Sequence, residues 1–173
     1  MAYKSERAWS DKFVRRQIQL LAWLAHVDED RISIASEDDD RKHGVDVRVA
    51  GKRVALRTRR HGNRHDQFTV RIERSSYDRR NELDKIKAAE LDYLLYCHAT
   101  PSASRCDTPE DDELAFVVLL DLAPFRIAAA NLFADVRYEM PPANDRFLAF
   151  TIDDLGQYGR VVLATVQVTT NPL

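Results

Sequence analysis

The sequence predicts a fold of the α/β (α+β) class, in which a central mixed β-sheet is flanked by helices. Its 173 residues suit a single domain (1–173) with a sizeable core and are too few for two. Hydrophobic residues make up 45% and charged residues 31% of the chain, a composition typical of globular proteins. Strand-like apolar runs alternate with three helix-like segments, which favours a mixed sheet over an all-helical or all-strand fold.

The first half of the chain predicts a helix followed by a strand meander. Residues 5–26 carry a broad apolar stripe at helical spacing, and Ser5 can cap this helix. The tight turn of the meander is expected at Gly51. The meander then consists of a strand at 31–35, a loop over the acidic run 37–40, and strands at 44–50 and 53–59.

The second half predicts further strands and two helices. Pro124 fits the first position of a helix over 124–134. The polar segment 98–114 contains two prolines and predicts a surface loop. The remaining predicted elements are strands at 68–72, 91–97, 115–120, 147–152 and 160–168, and a helix over 79–89.

Positive charge is concentrated in one part of the chain. The net charge is −2, yet residues 41–80 hold 13 Lys and Arg against 4 acids, a net of +9, and the remainder has a net of −11. Such a block on an acidic chain is typical of a face that contacts phosphate. The alternative is that the block pairs with the acidic runs at 37–40 and 110–113.

Neither a membrane span nor a secretion signal is predicted. No apolar run approaches the roughly 18–20 residues of a membrane helix, and the charged segment 1–16 has no apolar signal-peptide core. The two cysteines, Cys97 and Cys106, do not make a disulfide framework. We therefore expect an intracellular, cytoplasmic protein.

The segment around Asp46 carries the strongest functional signal. This acid lies in an otherwise apolar and basic hairpin, whose second strand ends in Arg59 and Arg60. An acid facing a fan of cations suggests a site for phosphate or a metal ion. The order helix, strand, Asp-bearing strand, charged strand, helix, strand over about 5–98 resembles the restriction-endonuclease-like core of the PD-(D/E)XK nuclease superfamily. Residues 115–170 would be a C-terminal elaboration.

The resemblance rests on short motifs and implies metal-dependent phosphodiester cleavage. In the family, two carboxylates hold Mg²⁺ (or Mn²⁺) beside a cation, with an Asp on the second strand and an E-x-K acid and lysine on the third. Residues two apart on a strand share a face, so all three groups meet. The matching motifs here are Gly-Val-Asp-Val-Arg-Val at 44–49, Phe-Thr-Val-Arg at 68–71, Glu-Leu-Asp-Lys-Ile at 82–86 and Tyr-Leu-Leu-Tyr at 93–96.

Arg57 stands where the resemblance implies the second acid, because the chain reads Arg-Thr-Arg at 57–59. A guanidinium has no acceptor and stays charged, so it cannot replace a metal-binding carboxylate. Three explanations are open. The acid has moved to Glu82 on the next helix or to Glu73 on the next strand. Alternatively, the site binds nucleic acid without cutting it. The third explanation is that Asp46 and Arg57 form an ordinary cross-strand salt bridge.

We expect a nucleic-acid-processing protein, with DNA favoured over RNA as its partner and a homodimer left open. As a Mg²⁺-dependent endonuclease it would use Asp46 and Glu82 (or Glu73) as metal ligands and Arg59 or Lys85 as the catalytic cation. The alternative is an inactive module that binds nucleic acid or a protein partner. The arginines expected to hold backbone phosphates are Arg57, Arg60, Arg64 and Arg71.

Overall fold

The computed structural model of the protein contains nine strands among the residues that it describes. The model describes residues 7–60, 67–73, 81–111, 113–131, 135–138 and 146–167. The strands are β1 (Ile32–Ile34), β2 (Val47–Val49), β3 (Lys52–Arg59), β4 (Gln67–Glu73), β5 (Tyr93–Ala99), β6 (Leu114–Asp121), β7 (Asp135–Tyr138), β8 (Arg146–Thr151) and β9 (Val162–Gln167).

The strands form a central six-stranded sheet and a smaller three-stranded sheet. The order is β1-β2-β3-β5-β6-β9 in the first and β4-β8-β7 in the second. The β3–β5 pair is parallel, whereas the other pairs in the described part of the chain are antiparallel. The central sheet is therefore mixed, and the predicted fold class is confirmed.

The helices lie between the strands. The first, α1, follows a 3₁₀ turn at Asp11–Phe13. No helix in the described ranges is long and apolar enough to cross a membrane. The helices are α1 (Val14–Ala25), α2 (Glu37–His43), α3 (Glu82–Lys87), α4 (Pro101–Arg105), α5 (Leu122–Asn131) and α6 (Ile152–Gln157).

Each face of the central sheet has its own core, because successive side chains of a strand point to opposite faces. Along β5, Leu95 and Cys97 pack into the cluster that contains the buried residues of α1. Leu94 and Tyr96 pack into the second cluster, with side chains of α3, α5, β4 and β8. The smaller sheet and α3 therefore cover one face of the central sheet, and α1 covers the other.

The acidic run 37–40 is a helix, so the predicted loop there is wrong. The Ser36 hydroxyl caps α2 by accepting a hydrogen bond from Asp39 N at 3.1 Å. Acids fill the first turn and bases the last, which suits the helix dipole. Gly44 ends the helix in the left-handed region at φ 74°.

Two further predictions are corrected at helix starts. The segment 98–114 contains α4, which Thr100 caps and Pro101 begins. Helix α5 starts at Leu122 rather than at Pro124, because the Asp121 carboxylate accepts a hydrogen bond from Ala123 N at 2.8 Å. Strand β7 and helix α6 were not predicted. Ser5 and residues 132–134 lie outside the described residues.

Candidate phosphate-binding site

Asp46 is held at the entrance to β2 by main-chain hydrogen bonds on both sides. Its N–H donates to Val54 O at 3.0 Å, and its carbonyl accepts from Ala35 N at 2.9 Å. Its carboxylate Oδ2 accepts a hydrogen bond from Leu56 N at 2.7 Å. The hairpin backbone therefore fixes this carboxylate beside β3.

Arg57 bridges two carboxylates at the centre of the site. Its Nη1 lies 3.0 Å from Asp46 Oδ2, and its Nε lies 3.1 Å from Glu82 Oε1. The three side chains are between 13% and 31% exposed, so the arrangement is mostly buried. The guanidinium thus occupies the space between the two acids that were candidates for metal ligands.

Glu82 reaches the site because α3 is fixed to β4. Asn81 caps the helix through Asp84 N at 2.9 Å and donates to Ile72 O, also at 2.9 Å. The second carboxylate oxygen, Glu82 Oε2, accepts a hydrogen bond from Arg71 N at 3.2 Å. One carboxylate therefore connects α3, β3 and β4.

Lys85 approaches the same site one helical turn after Glu82. A Cβ atom added to Gly44 would lie 3.4 Å from Lys85 Nζ and 3.8 Å from Arg57 Nη2. The hydrogen side chain of Gly44 therefore leaves room for two cations at the end of α2. The Lys85 ammonium and the Arg57 guanidinium therefore both lie beside Gly44.

Arg59 and Arg71 contact one aromatic ring at the edge of the site. Arg59 Cζ lies 5.3 Å and Arg71 Cζ lies 5.2 Å from the centroid of Phe147. Arg60 points elsewhere: its Cζ is 4.3 Å from the Trp9 ring and its Nη1 donates to Ser104 O. Arg59 and Arg71 thus belong to the Asp46 site, whereas Arg60 lies beside α4.

The two carboxylates respond to their surroundings in opposite directions. Burial raises the pKa of Asp46 above its usual value and outweighs the opposing effect of Arg57. Burial also acts to raise the pKa of Glu82, but Arg57, Arg59 and the Arg71 N–H lower it by more. For Arg57, burial acts to lower the pKa, and Asp46 and Glu82 overcome this, so the guanidinium stays protonated.

The wild-type residues do not fit a metal ion in this arrangement. Asp46 Oδ2 and Glu82 Oε1 are both paired with the Arg57 guanidinium, and a cation there repels a divalent ion. Among the residues that the structure describes, no group of three or more His, Cys, Asp or Glu side chains is arranged as metal ligands.

Several cations of the positive block pair with acids outside the candidate site. Lys42 and Arg48 pair with the acidic residues of α2, at 2.6 and 3.0 Å. Arg53 pairs with Asp92 at 3.1 Å. The candidate site itself brings together four cations, Arg57, Arg59, Arg71 and Lys85, beside the carboxylates of Asp46 and Glu82. Clustered arginine and lysine side chains are the groups that bind phosphate oxygens.

Most predicted site residues come together, and the rest are placed elsewhere or lie outside the described residues. Arg64 is outside the described ranges, and Glu73 is described as the last residue of β4 without its side chain. The members of the site are Asp46, Arg57, Arg59, Arg71, Glu82 and Lys85, to which the structure adds Phe147.

Comparisons with family models, curated proteins and solved structures returned no significant match. The interpretation of the site therefore depends on its own geometry and charge.

Proposed function

We propose that this chain is a nucleic-acid-binding module on a nuclease-like core, which holds backbone phosphates without a metal ion and does not cut them. The main observation behind this proposal is that Arg57 pairs with both Asp46 and Glu82. In a metal-dependent nuclease the two carboxylates would face a divalent cation. Here they hold a permanently charged side chain, which satisfies both of them without any ion.

The order of elements supports the nuclease-like part of the proposal. A helix (α1) precedes a meander of three antiparallel strands (β1 to β3), and α3 precedes β5, which pairs in parallel with β3. Apart from the short helix α2 between β1 and β2, this order is compatible with the one that the resemblance implies. Strand β4 is an addition to it, because it leaves the central sheet to join the smaller one.

The clustering of cations at the candidate site supports the phosphate-binding part. Arg59 and Arg71 both contact the Phe147 ring, and both lower the pKa of Glu82, so their positive charges act at one place. Guanidinium groups bind phosphate oxygens through two parallel N–H donors. A nucleic-acid backbone offers phosphates at regular intervals and is the polyanion that such a cluster fits.

Metal-dependent cleavage is the second candidate, and the position of Glu82 favours it. The carboxylate from α3 comes to the same guanidinium as Asp46, so two acids and Lys85 would surround a metal if Arg57 were displaced. Metal-free phosphate binding, the first candidate, requires no such rearrangement, because Arg57 stays between the two acids.

The deciding experiment measures binding and cleavage separately. We expect wild-type protein to bind a fluorescently labelled DNA duplex in EDTA, with affinity that falls steeply as salt rises. Arg59→Gln should weaken binding and reduce the salt slope by about one. Arg15→Gln is the matched control, because Arg15 is exposed on α1, across the central sheet from the site.

Cleavage is tested on supercoiled plasmid with Mg²⁺ or Mn²⁺. The proposal expects no nicking by wild-type protein with either ion. If wild-type protein nicks the plasmid and Asp46→Asn does not, the proposal of metal-free binding is wrong, and metal-dependent cleavage is the function. If wild-type protein binds neither DNA nor RNA at low salt, the phosphate-binding function is wrong, and a protein-interaction role takes its place.

A further inference from the structure

Phe147 joins the two sheets at the candidate site. It lies on β8 of the smaller sheet, opposite Arg71 of β4 in the register, and is 5% exposed. Arg59 reaches the same ring from β3 of the central sheet. Both guanidinium carbons lie within about 6 Å of the ring centroid, which is the range of a cation–π contact.

The ring, rather than protein hydrogen bonds, holds Arg59. Its Nε atom is buried and has no hydrogen-bond partner among the described residues. A long arginine side chain without such support loses much rotamer freedom when it binds a ligand. A ring that restricts the side chain in advance reduces that loss and so increases affinity.

We infer that Phe147 is a positioning residue that holds Arg59 and Arg71 as a pair for two phosphates of one nucleic-acid strand. The inference rests on the proposed function and specifies its ligand. Each nucleotide of a strand carries one phosphate, so a strand can offer neighbouring phosphates to two guanidiniums that contact one ring. A mononucleotide offers one phosphate group and cannot engage both arginines as a strand does.

The test compares three variants of β8 by fluorescence anisotropy with labelled DNA, both duplex and single-stranded. Phe147→Leu removes the aromatic face and keeps every charge, whereas Phe147→Tyr keeps the face. Phe150→Leu is the matched control, because Phe150 is a buried ring of the same strand that packs on Phe68 and Phe125. Thermal unfolding of each variant sets a temperature at which all are folded.

We expect Phe147→Leu to bind roughly three- to tenfold more weakly than wild type, and Phe147→Tyr and Phe150→Leu to bind nearly as wild type does. The salt slope should stay unchanged in Phe147→Leu, because no charge is removed, but fall by about one in Arg59→Gln. Phe147→Leu and Arg59→Gln should also be non-additive, because they remove the same contact. Deoxyadenosine monophosphate should compete poorly with the labelled strand.

Two results would overturn the inference while the proposed function stands: equal loss of binding in Phe147→Leu and Phe150→Leu, or full competition by the mononucleotide. Failure of the wild-type protein to bind either nucleic acid is a different outcome. It would reject the proposed function, and the inference with it.

Discussion

At the scale of single residues, the site is built from two carboxylates that share a guanidinium, yet their pKa values are shifted in opposite directions. Asp46 has a raised pKa because burial outweighs Arg57, whereas Glu82 has a lowered pKa because three arginine groups outweigh burial. A raised pKa means that the folded protein binds the proton of Asp46 more tightly than the unfolded chain. The opposite holds for Glu82.

These directions predict opposite effects of the two residues on acid stability. The stabilisation from Glu82 is present above its unfolded pKa, about 4.3, and is lost as pH falls through its lower folded pKa. Asp46 favours folding at low pH and loses that contribution as pH rises through its raised pKa. Glu82→Gln should therefore flatten the loss of stability on acidification, and Asp46→Asn should steepen it.

The measurement is urea unfolding at a series of pH values for wild type and both variants. The slopes with pH are compared, not the absolute stabilities, because each amide also changes the contact with Arg57. Asp38→Asn on exposed α2 serves as the control for a carboxylate outside the site. Equal slopes in Glu82→Gln and Asp46→Asn would contradict the assigned pKa directions.

The sequence could predict the pairing of Asp46 with Arg57 because both lie on one short hairpin. The register pairs Val47 with Val54, which puts Asp46 and Arg57 close together across the strands. Glu82 was also a candidate, since the motif placed it on the following helix. Phe147 was not a candidate, because the residues next to it in the sequence do not indicate which cations will pack against its ring in the fold.

At the scale of elements, short capped helices were the main failure of the sequence-based prediction. Helix α2 was predicted as a loop because four consecutive acids are typical of a solvated segment. The Ser36 cap, the acids in the first turn and Gly44 at the end together make a helix of it. The end of this helix is important for the site, because Asp46 follows only two residues after Gly44.

Gly44 offers a test of how closely that helix end approaches the site. Gly44 and Gly51 both have positive φ, of 74° and 79°. Alanine at either position should cost about 1 kcal/mol of stability, because L side chains rarely adopt this conformation. A Cβ atom at Gly44 would contact Lys85 and Arg57, whereas at Gly51 it would meet nothing within 4 Å.

We therefore expect both alanine variants to lower the free energy of unfolding similarly, but Gly44→Ala to weaken DNA binding more than Gly51→Ala. Urea unfolding and fluorescence anisotropy measure the two quantities on the same samples. If the two variants bind DNA equally well, the space beside Gly44 plays no part in positioning Lys85 and Arg57.

At the scale of the whole molecule, the site lies where the two sheets meet. Arg57 and Arg59 come from β3 of the central sheet, and Arg71 and Phe147 come from the smaller sheet. The alternating pattern at 68–72 predicted a strand there, which β4 confirms. A local pattern cannot say which sheet a strand joins, because the partner strand β8 is distant in sequence.

The same arrangement predicts what happens when the internal cation is removed. Arg57→Gln removes the guanidinium that bridges Asp46 and Glu82, and we expect a loss of about 2 kcal/mol of stability, less than for a fully buried pair because the groups are partly exposed. Arg48→Gln is the control and should cost less than about 1 kcal/mol, since the Arg48–Asp39 pair is more exposed.

If Arg57 occupies the position of a metal ion, its removal should let a divalent cation bind between the two carboxylates. Mn²⁺ should then raise the melting temperature of Arg57→Gln, with a stabilisation of about 2.7 kcal/mol at a hundredfold excess over Kd. It should leave wild type and Arg48→Gln unchanged, because their two acids remain bonded to Arg57. Adding Asp46→Asn to Arg57→Gln should abolish the response to Mn²⁺, whereas equal stabilisation of wild type would show that a metal binds despite the bridge.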